Sequence, residues 1–210
     1  MSYDYKKEEK YLYLPTQKPT IVEVPPLNYI AVRGKGDPND KDGAYQNAIS
    51  ILYTLAFTLK MSYKGTHKIE GYFQYVVPPL EGFWWQEGID GVDYTNKQDF
   101  QWISVIRLPE FIQKEDFLWA VKEAESKKKM DLSKAEFLTV KEGLCVQIMH
   151  IGAFDEEPAS VAKMDEYLQQ YGYVNDFSED RMHHEIYLSD PRKVEIARLK
   201  TVIRHPIKKL

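Results

Sequence analysis

The stretch GAYQNAISILYTLAFTLKM, residues 43–61, decides how the fold is read. Tyr45, Ala48, Ile49, Leu52, Leu55, Ala56 and Leu59 recur at spacings of three and four, which puts them on one face of an amphipathic helix, and Asp42 stands where an N-cap belongs. A helix with one apolar face must bury it against another layer. Upstream, Ile21–Val24 and Tyr29–Val32 flank Pro25-Pro26 and read as two short β segments, closed by the loop Gly34-Lys35-Gly36-Asp37-Pro38. Downstream, Tyr72–Val77 and Trp102–Leu108 read as strands stopped by Pro78-Pro79 and by Pro109. The order is ββαββ.

The order then repeats. Glu115–Lys129 reads as a connecting helix, with Phe117, Leu118, Val121 and Ala124 on one side and Lys127-Lys128-Lys129 at the end where cations suit the helix dipole. Phe137–Val140 and Leu144–Ile151 form a hairpin about Lys141-Glu142-Gly143, and Gly152 closes it. Pro158–Tyr171 carries Val161, Met164, Leu168 and Tyr171 at helical spacing, with Gly172 as the C′ residue. His183–Leu188 and Leu199–Arg204 complete a second ββαββ set. Two similar α+β halves side by side are expected, helices on one face and a concave ligand-binding face opposite. Residues 1–20 form an extended or partly helical arm, and Gly88–Gln98, rich in Gly, Asp and Asn, a mobile loop.

Composition narrows the function. The 210 residues hold 28 Lys+Arg against 32 Asp+Glu, a net charge of −4 without a basic stripe, so direct nucleic-acid binding is not expected. A single cysteine, Cys145, excludes an intrachain disulfide and suits a reducing, cytoplasmic setting; its strand position favours a buried thiol. Met1–Lys10 has no apolar signal core, and the longest apolar run, Ala48–Leu59, is short of the ~20 residues of a membrane span. Aromatics make up 13% of the chain, with 15 Tyr, 9 Phe and 4 Trp, a surplus that suits a recognition surface.

His183-His184-Glu185-Ile186-Tyr187-Leu188 carries the most chemistry. Strand alternation puts Glu185 and Tyr187 on one face with His183, and Ile186 and Leu188 on the other, towards the helices. A half-hydrated carboxylate there serves as general base or as counter-ion for a cationic ligand; the plainer reading is a glutamate on a solvated strand. Neighbouring histidines on a strand point apart, and neither His150 nor Cys145 completes a zinc-like spacing, so no metal or other cofactor is expected. Pro78-Pro79-Leu80-Glu81-Gly82-Phe83-Trp84-Trp85 reads as an aromatic wall after a double turn, to which Tyr72, Tyr75, Trp102 and Tyr187 add further planes. A dinucleotide fingerprint, a P-loop and a nucleophile-elbow serine are missing, and Asp155-Glu156-Glu157 reads as capping for the helix at Pro158.

The Pro78–Trp85 stretch, Gln147-Ile148-Met149-His150-Ile151-Gly152-Ala153-Phe154-Asp155-Glu156-Glu157-Pro158 and His183–Lys193 together resemble the stand-alone branch of the GyrI-like small-molecule-binding family, over roughly residues 21–210. The resemblance implies an α+β fold of two tandem βαββ-type, SHS2-like repeats (about 21–110 and 135–206, joined by a helix at about 114–130) with pseudo-two-fold symmetry. It also implies a central cleft with a glutamate near its middle, and Glu185 is the residue that matches. The branch is associated with hydrolysis of cyclopropane-bearing DNA-alkylating compounds. On that reading Glu185 deprotonates water, Tyr187 or His150 stabilises the oxygen that gains charge, and Tyr72, Tyr75, Trp84, Trp85, Trp102 and His183 bind a flat aromatic ligand. The alternative is a non-catalytic sensor or sequestering protein for lipophilic aromatic cations. The chain would act as a monomer or homodimer.

Overall fold

The computed structural model describes residues 2–41, 43–89 and 92–210; Asp42, the expected N-cap, and part of the 88–98 loop lie outside them. Nine strands among the described residues form one antiparallel sheet: β1 (Thr20–Val24), β2 (Leu27–Lys35), β3 (Leu80–Trp85), β4 (Gln101–Arg107), β5 (Ala135–Val140), β6 (Gly143–Ile151), β7 (Tyr173–Asn175), β8 (His183–Tyr187) and β9 (Lys200–Lys209). The lateral order is β1-β6-β9-β8-β3-β4-β2-β5, with β7 pairing the end of β9. The fold is mixed α and β with one large antiparallel sheet, as the sequence predicts in outline.

The helix that opened the sequence argument is α3 (Ala44–Lys60), with Tyr45, Ala48, Leu52, Leu55 and Leu59 buried as the spacing requires. It packs on β2 and β4, and α4 (Lys114–Lys128) packs behind it. The helix α5 (Pro158–Tyr171) starts at a proline and ends at Gly172, whose φ of 73° is a left-handed value that glycine adopts without a Cβ clash. Beneath α5 lies a separate small core of Val146, Ile148, Met164, Leu168, Ile203 and Ile207. Each such aliphatic side chain contributes roughly 1.5–3 kcal/mol on burial.

The third strand departs from expectation. Tyr72–Val77 is not a strand; within it only Tyr75 makes a bridge, to Tyr3, and the strand begins immediately after Pro78-Pro79, at Leu80. Proline tolerates the edge of a strand better than its interior, so the pair precedes β3 rather than ending one. The segment read as a wall in a loop is therefore an interior strand between β4 and β8. Gly82 makes this packing fit, since a Cβ there would lie 2.5 Å from Trp84 Nε1.

The two sheet faces are also the reverse of the expected arrangement. Glu185 pairs laterally with Gly82 and Ile203, and Ile203 belongs to the core under α5, so Glu185 and Tyr187 lie on the helix side. The opposite face is covered by the arm, as two single-turn helices, α1 (Tyr5–Glu8) and α2 (Lys10–Tyr13). Buried polar groups tie it down. Arg204 donates to the Leu12 carbonyl at 2.7 Å, Tyr13 to Glu81 at 3.3 Å, and Arg107 to Glu9 at 2.7 Å and 3.1 Å. Beneath the arm, His184 donates from both ring nitrogens, to Glu142 at 2.9 Å and to Glu81 at 3.0 Å, while Arg204 reaches Glu142 at 3.1 Å. No described helix is long and apolar enough to cross a membrane.

Candidate functional site

Glu185 is central in its strand and nearly buried, 7% exposed. Its two oxygens are held from opposite sides. His183, two residues earlier on the same face, donates from Nε2 to Oε1 at 2.9 Å, and Tyr187, two residues later, donates its hydroxyl to Oε2 at 2.8 Å. Trp84 Nε1 in turn donates to the Tyr187 hydroxyl at 2.9 Å, and His183 Nδ1 lies 2.7 Å from His205 Nε2. Burial opposes the charge of Glu185, but the bonds and charge of His183 and the Tyr187 hydroxyl outweigh it and hold the carboxyl below its ordinary range. The same burial, with the Glu185 charge beside it, pushes the Tyr187 hydroxyl far up, so it stays a donor. His205, buried next to His183, is pushed well below the usual histidine value.

A second carboxyl completes the centre. Glu157, immediately before Pro158, is fully buried and makes no capping bond to α5; Glu156 caps the short 3-10 turn before it (Phe154–Glu156), accepting from the Ala153 amide at 3.1 Å. Glu157 turns inward, where oxygens of Glu157 and Glu185 and a ring nitrogen of His183 all lie within 4.8 Å of one another. Tyr94 donates to Glu157 Oε2 at 3.0 Å, and the Glu157 carboxyl is also in hydrogen-bond contact with that of Glu185. Burial, then the charge of Glu185, pushes the Glu157 carboxyl well above its ordinary value. The centre therefore sets a carboxyl held low beside one pushed high. These three side chains form the group among the described residues that a metal ion could use, although His183 already gives both ring nitrogens to His205 and Glu185.

Walls and roof are aromatic. Tyr45, from the first turn of α3, lies 5.5 Å from Trp84 and 5.1 Å from Trp102 between ring centroids, and Phe154 meets Tyr187 edge-on at 5.8 Å. Tyr94 roofs the centre, edge-on to His183 at 6.4 Å. Its segment is held at one side by Gln86, whose amide bonds Asp93 and Asn96, and at the other by Lys97 on Asp155 at 2.6 Å. Next to the centre, a cavity of about 600 Å³ opens between Trp84, Trp85, Ile89, Phe177, Met182 and His183.

Of the residues singled out from the sequence, the structure brings together Glu185, Tyr187, His183, Trp84 and, one ring further out, Trp102. Trp85 points to the other face and reaches only the cavity. Tyr72 and Tyr75 are not brought to the site: they join Tyr63, Phe73 and Phe111 in a cluster at the far end of α3, where the Tyr72 hydroxyl donates to the Lys60 carbonyl at 2.6 Å. His150 is on the correct face but spends both nitrogens on Ser160 at 3.0 Å and the Ala153 carbonyl at 2.9 Å, so it braces the entry to α5 rather than touching Glu185. Glu157, Tyr94 and Tyr45 were missed. Glu157 was masked by its place in an acidic run before a helix, where capping accounts for acidic residues without further cause.

Residues 17–208 match the GyrI-like small molecule binding domain. The chain belongs to that family. This GyrI-like protein is similar to an uncharacterized conserved protein from Listeria innocua, at 44% identity and a TM-score of 0.92 over 99% of this chain and 100% of that one. Two further structures from Listeria innocua, each described as a hydrolase, match at 42% and 43% identity with TM-scores of 0.89 and 0.90, again over 99% of this chain and 100% of theirs. The C-terminal domain of EcmrR shares the fold at 12% identity and a TM-score of 0.57, over 92% of this chain and 98% of that domain. Among curated proteins, none matches the chain.

Proposed function

We propose that this GyrI-like protein binds flat aromatic small molecules at Glu185 and hydrolyses cyclopropane-bearing electrophiles by adding water. The observation that carries the reading is the buried, ionised Glu185, fixed by His183 and Tyr187 among aromatic rings. Likeness above 40% to two proteins described as hydrolases supports turnover over storage. In the proposed step, the oxygen of a water held by Glu185 attacks the strained ring carbon. The carbon–carbon bond breaks and its electrons pass through the conjugated system to the carbonyl oxygen. The water proton goes to Glu185, and solvent protonates the phenolate. Trp84 and Tyr45 offer planes for the aromatic body. The two βαββ-type repeats, with α3 and α5 both starting beside Glu185, and a cytoplasmic monomer or homodimer belong to the same proposal.

A second reading, capture of lipophilic aromatic cations without chemistry, is favoured by one observation: two buried carboxyls lie within 4.8 Å among aromatic rings. Turnover separates the two. A spirocyclopropyl dienone is incubated with wild type and Glu185→Gln, and the water adduct is followed by chromatography. Hydrolysis predicts product in excess of protein and a fall of about a hundredfold or more in the variant. Saturable binding without product leaves capture as the function.

A further inference from the structure

The proposed ring opening uses one carboxylate, yet the centre holds two buried carboxyls whose oxygens lie within 4.8 Å of each other. In a spirocyclopropyl dienone the released electrons end on an oxygen across the conjugated ring, beyond the reach of an acid beside Glu185. Glu157 has no task in that step. Its side chain lies in hydrogen-bond contact with Glu185, so a proton on Glu157 is turned towards the carboxylate that would hold the water.

We infer that the centre also hydrolyses epoxides on aromatic compounds, with Glu185 as base towards water and Glu157 as the acid that protonates the departing oxygen. This inference rests on the reading of Glu185 as base. An epoxide places its departing oxygen one bond from the attacked carbon. With water poised at ~3–3.5 Å from that carbon, both reacting oxygens fall within the span of the two carboxyls, whose oxygens lie within 4.8 Å of each other. The step balances: water oxygen bonds carbon, the carbon–oxygen bond of the ring breaks, Glu185 takes a proton from water and Glu157 gives one to the alkoxide. Transfer of the proton from Glu185 to Glu157 restores the pair, and the product is a vicinal diol. Tyr94 holds Glu157 in place through Oε2, and the proton that Glu157 turns towards Glu185 in the free site is given to the departing oxygen when substrate is bound. The raised proton affinity of Glu157 and the lowered one of Glu185 agree with these roles.

Styrene oxide in ¹⁸O-labelled water, with a spirocyclopropyl dienone run in parallel, tests the inference on wild type, Glu157→Gln and Tyr94→Phe, each checked for a retained thermal midpoint. The expected result is singly labelled diol in excess of enzyme, with a pH profile that falls at high pH as Glu157 loses its proton. Glu157→Gln lowers the epoxide rate about a hundredfold or more and abolishes the basic limb. Tyr94→Phe removes a bond that favours the ionised form of Glu157 and moves the basic limb to higher pH. Turnover of the cyclopropane compound without diol overturns the epoxide inference alone. Failure of both substrates overturns the reading of Glu185 as base as well. Diol formation with an unaltered profile in Glu157→Gln removes Glu157 from the acid role.

Discussion

Replacing Glu142 by Gln tests the charge network under the arm. Glu142 is 5% exposed and sits between His184 at 2.9 Å and Arg204 at 3.1 Å. Burial opposes its charge, but His184 and Arg204 outweigh that and bring its carboxyl down from 4.5 to about 2. At about 1.4 kcal/mol per pKa unit, that difference is worth about 3 kcal/mol. The sign follows from the direction: a depressed carboxyl contributes fully above pH 4.5, and its contribution is lost as pH falls towards 2. His184 works oppositely. Burial opposes its charge, but Glu142 and Glu81 raise its pKa, so its contribution is present below 6.5 and is lost as pH rises through the raised value. Urea unfolding of wild type and Glu142→Gln from pH 2 to 8 is the assay. Near pH 6 the variant is expected to be less stable by about 3 kcal/mol, a midpoint shift of ~1 M or more at the usual urea dependence. The gap closes towards pH 2, where Glu142 in the wild type is itself protonated. A gap that stays constant from pH 6 to pH 2 refutes the electrostatic account and makes the loss one of packing.

Three further perturbations have defined outcomes. Tyr187→Phe removes the hydroxyl that donates to Glu185, a charged hydrogen bond worth about 1.5–3 kcal/mol, so the acidic limb of the rate profile should move up by ~1–2 pH units; stopped-time assays across pH check this. Gly82→Ala puts a methyl 2.5 Å from Trp84 Nε1 and 3.1 Å from the Tyr187 hydroxyl, so ligand affinity should fall at least about tenfold and tryptophan emission should shift, both read by fluorescence titration. Gly34→Ala drives a methyl to 2.3 Å from the buried Trp102 ring, and thermal unfolding should show a loss of at least the ~1–3 kcal/mol typical of overpacking.

Local periodicity made most of the fold legible. The α3 stripe, the β5–β6 hairpin turning at Gly143 and the Pro158–Gly172 helix all stand where the spacing of apolar and turn residues puts them. Non-local packing hid the rest. Pro78-Pro79 punctuates the chain equally well as the end of one strand or the start of the next, and only the pairing of Gly82 with Glu185 and Ser104 chooses the start. Alternation along His183–Tyr187 correctly grouped His183, Glu185 and Tyr187. It carries no information on which face the helices cover, and His184, polar yet fully buried between two carboxylates, disguised the covered arm side. The second carboxyl was out of reach for the same reason, since Glu157 meets Glu185 only after α5 docks.

The order of strands in the sheet bears on how the molecule assembles. β1 lies against β6 and β2 against β5, so the chain crosses at Pro25-Pro26 and again between Val140 and Gly143, each half lending a strand to the other. Cutting the polypeptide between the halves would leave both fragments with a borrowed neighbour missing and a raw edge exposed. The β3–β8 pairing itself joins residues about 100 positions apart in the chain, which points to slow, late completion of the seam that carries Glu185 during folding. The two carboxyls are thus kept apart until nearly the whole chain is in place, and newly made or partly unfolded chains carry no assembled centre.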